Sequence, residues 1–173
     1  DIVEKTATKL NQPVSKISDA EESVRPGFLN MKFPLGTGTT AIQDEIFATQ
    51  SKIVNELSEK ESCIIVGRAA DFVLKDHPDV TRIYVYADEK FCLERSKEFL
   101  GMFDNDKEVM EHIEKTDKFR GDYYKYYTGK NWDDARNYDL CLNSGVLGFD
   151  KTVEEIKAYL KVRFGENVFE NIK

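Results

Sequence analysis

The chain has 173 residues, of which 40% are hydrophobic and 33% charged, and a formal net charge of -7; this suits one globular domain and excludes a disordered chain. An acidic surface disfavours general nucleic-acid binding, which needs positive charge along the phosphate backbone, although it leaves room for a local basic pocket. Apolar runs fall short of the ~20 residues of a membrane span and residues 1–8 have no leader pattern, so a soluble, cytoplasmic protein with neither membrane nor nucleic-acid partners is expected.

In chain order, residues 1–10 read as a helix with Ile2, Val3 and Leu10 apolar. Residues 12–34 read as irregular, broken by Pro13, Pro26, Gly27 and Pro34. From Ile42 to Lys60, the apolar Ile46, Phe47, Ile53, Val54 and Leu57 recur at helical spacing. Cys63-Ile64-Ile65-Val66 is apolar on both faces, as a central parallel strand covered by helices must be, and it ends in Gly67-Arg68. A short helix over 69–75 stops at His77-Pro78. Arg82 to Ala87, rich in β-branched and aromatic residues, predicts a second strand. Asp88 then caps a helix in which Phe91, Cys92, Arg95 and Phe99 share a face, ended by Gly101. Asp106 begins another, with Val109, Met110 and Ile113 as its stripe and a polar continuation from Lys115 to Arg120. After an aromatic loop, Tyr138 to Asn143 predicts a third strand. The last helix carries Thr152 and Glu155 as a capping box, with Val153, Ile156, Leu160 and Phe164 turned inward.

Strands joined by helices pair in parallel, which predicts an α/β protein with a three-layer α/β/α sandwich. Three strands are fewer than the usual sheet of about five, so strands are either lacking or weakly marked in the first sixty residues. Cys63, Cys92 and Cys141 lack metal or disulfide spacing and read as reduced core residues, and His77 and His112 stand away from them, so no metal site is expected.

Gly67 and Arg68 form the sharpest candidate site. Glycine at a strand end permits a sharp turn and close ligand approach, and the guanidinium fork matches phosphate oxygens; the plain alternative is a surface arginine. Asp71, a helical turn on, is either a partner for Arg68 or a charge favoured by a helix N-terminus. Tyr123, Tyr124, Tyr126 and Tyr127 pair at helical spacing, which makes them first a packing cluster, with Tyr127 and Lys130 as candidates for contact with a base. Gly36-Thr-Gly-Thr-Thr40 reads as a loop and not as a phosphate cradle: no lysine follows Gly38, and Pro34 spoils the strand that should precede it.

Ile65 to Asp71, Ile83 to Asp88, Lys115 to Arg120, Tyr123 to Gly129 and Tyr138 to Ser144 together resemble the cytidylate kinase-like family, as does the opening Asp-Ile-Val-Glu-Lys-Thr-Ala. The resemblance implies a single P-loop kinase-like domain over 1–173, with a helical lid at about 104–132. It also implies a strand and phosphate loop ahead of the opening segment; no Gly-x-x-x-x-Gly-Lys-Ser/Thr occurs here, so the fold reads as N-terminally incomplete. The implied activity is transfer of the γ-phosphoryl of ATP, with Mg²⁺, to a nucleoside monophosphate, foremost CMP or dCMP. A catalytically inactive nucleotide-binding module and a small-metabolite kinase are the alternatives. Phosphoryl transfer depends on positioning and charge neutralisation, so cations carry the site. By resemblance, Arg68, Lys118 and Arg120 are catalytic, and Arg68, Asp71, Arg95, Lys115, Asp117, Tyr127 and Lys130 bind substrate; a surface ion pair with Glu98 or Glu94 is the alternative for Arg95. Related lids are richer in arginine than this one, and a solvated helix face is the alternative for its charges. In such folds the loop after the last strand, here Asn143-Ser144-Gly145, lies near the donor's adenine.

Overall fold

The computed structural model describes residues 1–17, 39–100 and 105–170. These form two compact units, one of Asp1–Val80 with Lys118–Asp133, the other of Thr81–Asp117 with Asp134–Lys173. Pro26, Gly27, Pro34, Gly36, Gly38 and Gly101 fall outside the described residues.

The first unit is helical. Helix α1 (Ile2–Leu10) starts at Asp1, whose Oδ1 accepts the Val3 N–H at 2.9 Å, and ends at Asn11, left-handed at φ 52°. It packs along α2 (Thr39–Lys60), where Lys9 Nζ donates to Glu56 at 2.8 Å. Ala7, Ile17 and Ile46 form one buried cluster, flanked by Val3 and Leu10. Val54 forms a second with Ala70 and Leu74, which seats the short α3 (Ala70–Val73). Ile46, Gln50, Ile53 and Val54 are all buried, so the helical spacing of α2 does define its inward face. Each fully buried aliphatic side chain there contributes about 1.5–3 kcal/mol.

The expected strand over Cys63–Val66 does not form. Among the described residues its backbone makes no hydrogen bond, and a strand exists only through its ladder. Ile64 and Val66 are 94% and 84% exposed, while Ile65 packs on the Val54 cluster. Cys63 is exposed too, not in the core as expected.

In the second unit, β1 (Ile83–Tyr86) and β2 (Leu140–Asn143) pair in parallel, with Ile83 opposite Leu140 and Tyr86 opposite Asn143. Parallel pairing requires a long crossover, which α4 (Glu89–Leu100) and α5 (Asp106–Thr128) supply. Asp88 caps α4, its Oδ1 accepting the Phe91 N–H at 2.8 Å. Helix α5 runs 23 residues without a break, so Tyr123 to Thr128 continue the helix where an aromatic loop was expected; the chain leaves it through Gly129 at φ 71°. At the amino ends of the strands, the Asp139 carboxylate accepts from Arg82 Nε at 3.0 Å and Nη2 at 2.7 Å.

After β2 come α6 (Ser144–Leu147) and α7 (Phe149–Phe164). The expected capping box is absent because α7 begins four residues earlier, after Gly148; the Thr152 hydroxyl, buried, donates instead to the Gly148 carbonyl at 2.7 Å. Ile156 and Leu160 are half-buried as expected, whereas Val153 and Phe164 are exposed. The chain is thus a mostly helical α/β protein whose described residues contain one two-stranded parallel sheet, not a full three-layer sandwich. No described helix is long and apolar enough to cross a membrane.

Candidate functional site

In the first unit, Gly67, Arg68 and Ala69 take successive φ angles of 72°, 59° and 49°. The left-handed region is natural for glycine and costs other residues about 1–2 kcal/mol each. Arg68 is half-buried and Ala69 and Ala70 are buried, so the turn is packed as well as bent. Asp71 follows on α3, and its Oδ2 accepts a 2.6 Å hydrogen bond from the hydroxyl of Tyr124, which is only 4% exposed.

Helix α5 separates its candidate cations. At 100° per residue, Lys118 and Arg120 lie about 200° apart around the axis. The buried Val109 and half-buried Ile113, Thr116, Tyr123 and Tyr127 mark the inward face, on which Arg120 falls while still reaching solvent. Lys118 is on the outer face and pairs with Asp122 at 2.7 Å. Lys115 and Asp117 are exposed on the same helix within the second unit. Tyr127 stacks on Phe47 of α2, with centroids 3.9 Å apart and an interplanar angle of 11°, and meets Tyr123 edge-on at 4.9 Å. Burial foremost, then the neighbouring Tyr123, Asp44 and Tyr126, raises the Tyr127 hydroxyl above the ordinary phenol range, so it stays protonated. Lys130 is exposed, and its backbone N–H donates to Thr128 Oγ1 at 3.0 Å.

Arg95 lies in the second unit, beside the carboxyl ends of the strands. Ser144 Oγ donates to the Tyr86 carbonyl at 3.2 Å, and Asn143 Oδ1 accepts the Gly145 N–H at 3.0 Å. A Cβ on Gly145 would stand 3.3 Å from Ala87 Cβ and 3.4 Å from Phe91 Cβ, so only glycine lets this turn settle against the start of α4 without displacement. Next to it, Phe91, Glu94, Arg95, Glu98, Gly148 and Phe149 line a cleft of about 150 Å³. The Arg95 guanidinium carbon lies 4.3 Å from the Phe149 ring centroid, and the Phe91 ring 5.9 Å away from that of Phe149. Arg95 Nη1 also donates to Glu98 Oε2 at 2.5 Å, so the cleft holds an ion pair above an aromatic floor, with faces for stacking and the Glu94 carboxylate at the rim. Cys92, on the same helix, has its thiol raised by burial and then by Asp117, Asp88 and Glu89, which makes it a poor nucleophile.

Phe91, Gly148 and Phe149 were not read from the sequence as site residues, although Phe91 was placed on its helix's apolar face. The usable signal was Gly148-Phe149, an aromatic residue just beyond a glycine and a few residues past the loop 143–145 that the resemblance placed near the donor base.

Residues 1–146 match the model of the cytidylate kinase-like family. The chain belongs to the cytidylate kinase-like family. No curated protein matches it. Among solved structures, it is similar to an uncharacterized protein from Eubacterium ventriosum, at 24% identity and a TM-score of 0.65, over 92% of this chain and 89% of that one. That likeness shows a shared fold. Within the cytidylate kinase-like chain, Arg68, Asp71, Lys118, Arg120, Tyr127 and Lys130 belong to the first unit, and Arg95, Lys115 and Asp117 to the second.

Proposed function

We propose that the protein is a nucleoside monophosphate kinase that transfers the γ-phosphoryl of ATP to a pyrimidine monophosphate, foremost CMP or dCMP. Family membership supplies the class. The reading rests on one observation, the guanidinium-over-aromatic cleft beside the carboxyl ends of β1 and β2, where ligands of parallel sheets bind. A purine ring enters such a cleft by displacing or joining the Arg95–Phe149 stack, with its amino group towards Glu94 or Glu98. The acceptor phosphate is assigned to Arg68 on its left-handed turn. Arg120 is the better candidate than Lys118 for neutralising charge on the transferred group, because it alone of the two rises from the inward face of α5.

Among the described residues no group of three or more His, Cys, Asp or Glu side chains converges as metal ligands do. Mg²⁺ in such a transfer is carried mainly by the nucleotide's phosphates and water with one or two carboxylates, and the roles assigned here are those of the chain's own cations. The three-layer sandwich belongs to the same proposal: in it Cys63–Val66 pairs as a strand, and helices cover Ile64 and Val66, which are exposed just before Gly67.

A coupled ADP-release assay on the full-length protein with CMP, dCMP, UMP, AMP, shikimate and gluconate tests the reading. Turnover with CMP or dCMP is expected. Turnover with shikimate or gluconate alone favours a metabolite kinase, and nucleotide binding without turnover favours an inactive module.

A further inference from the structure

The turn that carries Arg68 is closed locally by the Ala70 N–H, which donates to the Gly67 carbonyl at 3.1 Å, but two of its three left-handed residues have no local reason to be so. Arg68 and Ala69 occupy left-handed φ without being glycine, asparagine or aspartate. Ala69 is the N-cap of α3 and makes no side-chain capping bond. Helix α3 itself has four residues, too few to be stable on its own propagation. A strained conformation of this kind persists only where surrounding structure dictates it.

Two contacts do so. On the apolar side, Ala70 and Leu74 pack on Val54 of α2. On the polar side, the Asp71 carboxylate accepts the 2.6 Å bond from Tyr124, a buried residue of α5. Tyr124 is fixed in turn, since its carbonyl accepts from Thr128 Oγ1 at 2.7 Å in the last turn of the helix. The bond is short and charge-assisted, hence among the stronger kinds available to a protein.

We infer that Tyr124 and Asp71 form a positioning latch, which holds the Gly67-Arg68-Ala69 turn in the shape that presents Arg68 to a phosphorylated acceptor. In this role Asp71 is not an acceptor ligand; it acts through the backbone of the turn. The inference rests on the kinase reading above for the identity of the acceptor, but not for the existence of the latch. It also gives the lid helix a mechanical tie to the acceptor turn, through one hydrogen bond that a single atom removes.

The test is Tyr124→Phe in the full-length protein, which deletes the donor and keeps the ring in its packing. Asp71→Asn serves as the conservative variant, since the amide oxygen still accepts from Tyr124, and Tyr126→Phe as the control. Amide hydrogen exchange over residues 67–73 is expected to rise at least ten-fold in Tyr124→Phe, less in Asp71→Asn and not in Tyr126→Phe, with α1 and the amino-terminal half of α2 unchanged. In steady-state kinetics, the KM for CMP is expected to rise at least five-fold in Tyr124→Phe at an unaltered KM for ATP. Unchanged exchange, or an equal rise across α2, overturns the latch whatever the activity. Local exchange that rises while the KM for CMP stays the same overturns the positioning role. Should the wild-type protein turn over no monophosphate while the local rise is seen, the latch stands and the kinase reading is what fails.

Discussion

Replacing Asp139 by asparagine tests how the parallel pair beneath the aromatic cleft is held. Asp139 accepts from the Arg82 backbone N–H at 2.8 Å, from Nε at 3.0 Å and from Nη2 at 2.7 Å, with Arg163 Nη1 a further 3.6 Å away. The next residues lock the same point, because the N–H groups of Asp139 and Leu140 both donate to the Arg82 carbonyl. Asparagine keeps the shape and one acceptor, loses the charge and turns an NH₂ towards a donor. A charge-assisted bond contributes about 1.5–3 kcal/mol. The Arg82 and Asp139 side chains are 34% and 20% exposed, so water screens part of it and the lower end, about 1.5–2 kcal/mol, applies. In a chain of this size that is a fall in Tm of roughly 3–8 °C.

The pH dependence gives the test its sign. Hydrogen bonding to Arg82, set against partial burial, lowers the Asp139 pKa below the ordinary value of 3.8. The folded state therefore favours the carboxylate, and the stabilisation is complete above the ordinary value and lost as pH falls through the lowered one. Differential scanning calorimetry of both proteins from about pH 6 to about pH 2.5 should show the full gap at the upper end and convergence at the lower. No gap near neutrality, or one that persists unchanged into acid, refutes the assignment.

Phe149→Ala removes the aromatic floor of the cleft; base stacking worth about 1–3 kcal/mol predicts an ATP KM raised roughly five-fold or more, with the CMP KM unaffected. Equal ATP kinetics in wild type and variant remove Phe149 from the donor pocket. Arg68→Ala is expected to lower acceptor affinity or turnover at least ten-fold, as loss of a charge-assisted contact of about 1.5–3 kcal/mol requires, and isothermal titration with CMP checks it. Arg120→Ala should slow kcat more than Lys118→Ala, since Lys118 is on the outer face and paired with Asp122; the reverse order in single-turnover experiments would reassign the lid cation. Gly67→Ala, at φ 72°, should destabilise the protein by about 1–2 kcal/mol in urea titration.

Periodicity marked the helices because a helix satisfies its backbone within its own residues. Hence α1, α2 and the capped start of α4 were legible, along with the strands at 83–86 and 140–143. The apolar stretch Cys63–Val66 looks no different in sequence from those strands, yet its structure depends on a neighbour's N–H and C=O groups, which composition cannot supply. Helical spacing marked the tyrosines as a packing cluster but not as the end of one continuous helix: aromatic residues have modest helix propensity, and packing on Phe47 and the tie to Asp71 carry α5 through Thr128.

Gly67 and Arg68 stood out in the sequence because a glycine and a guanidinium at the end of an apolar run are residue types suited to an anion, and the family resemblance was carried by short motifs. What lay beyond reach was every relation between distant positions. Tyr124 meets Asp71 across 53 residues, and Arg95 lies over Phe149 in a cleft lined by α4 and the start of α7. Chemistry is written residue by residue, whereas the strain at Arg68, the burial of Tyr124 and the shape of the cleft exist only once the chain has folded back upon itself.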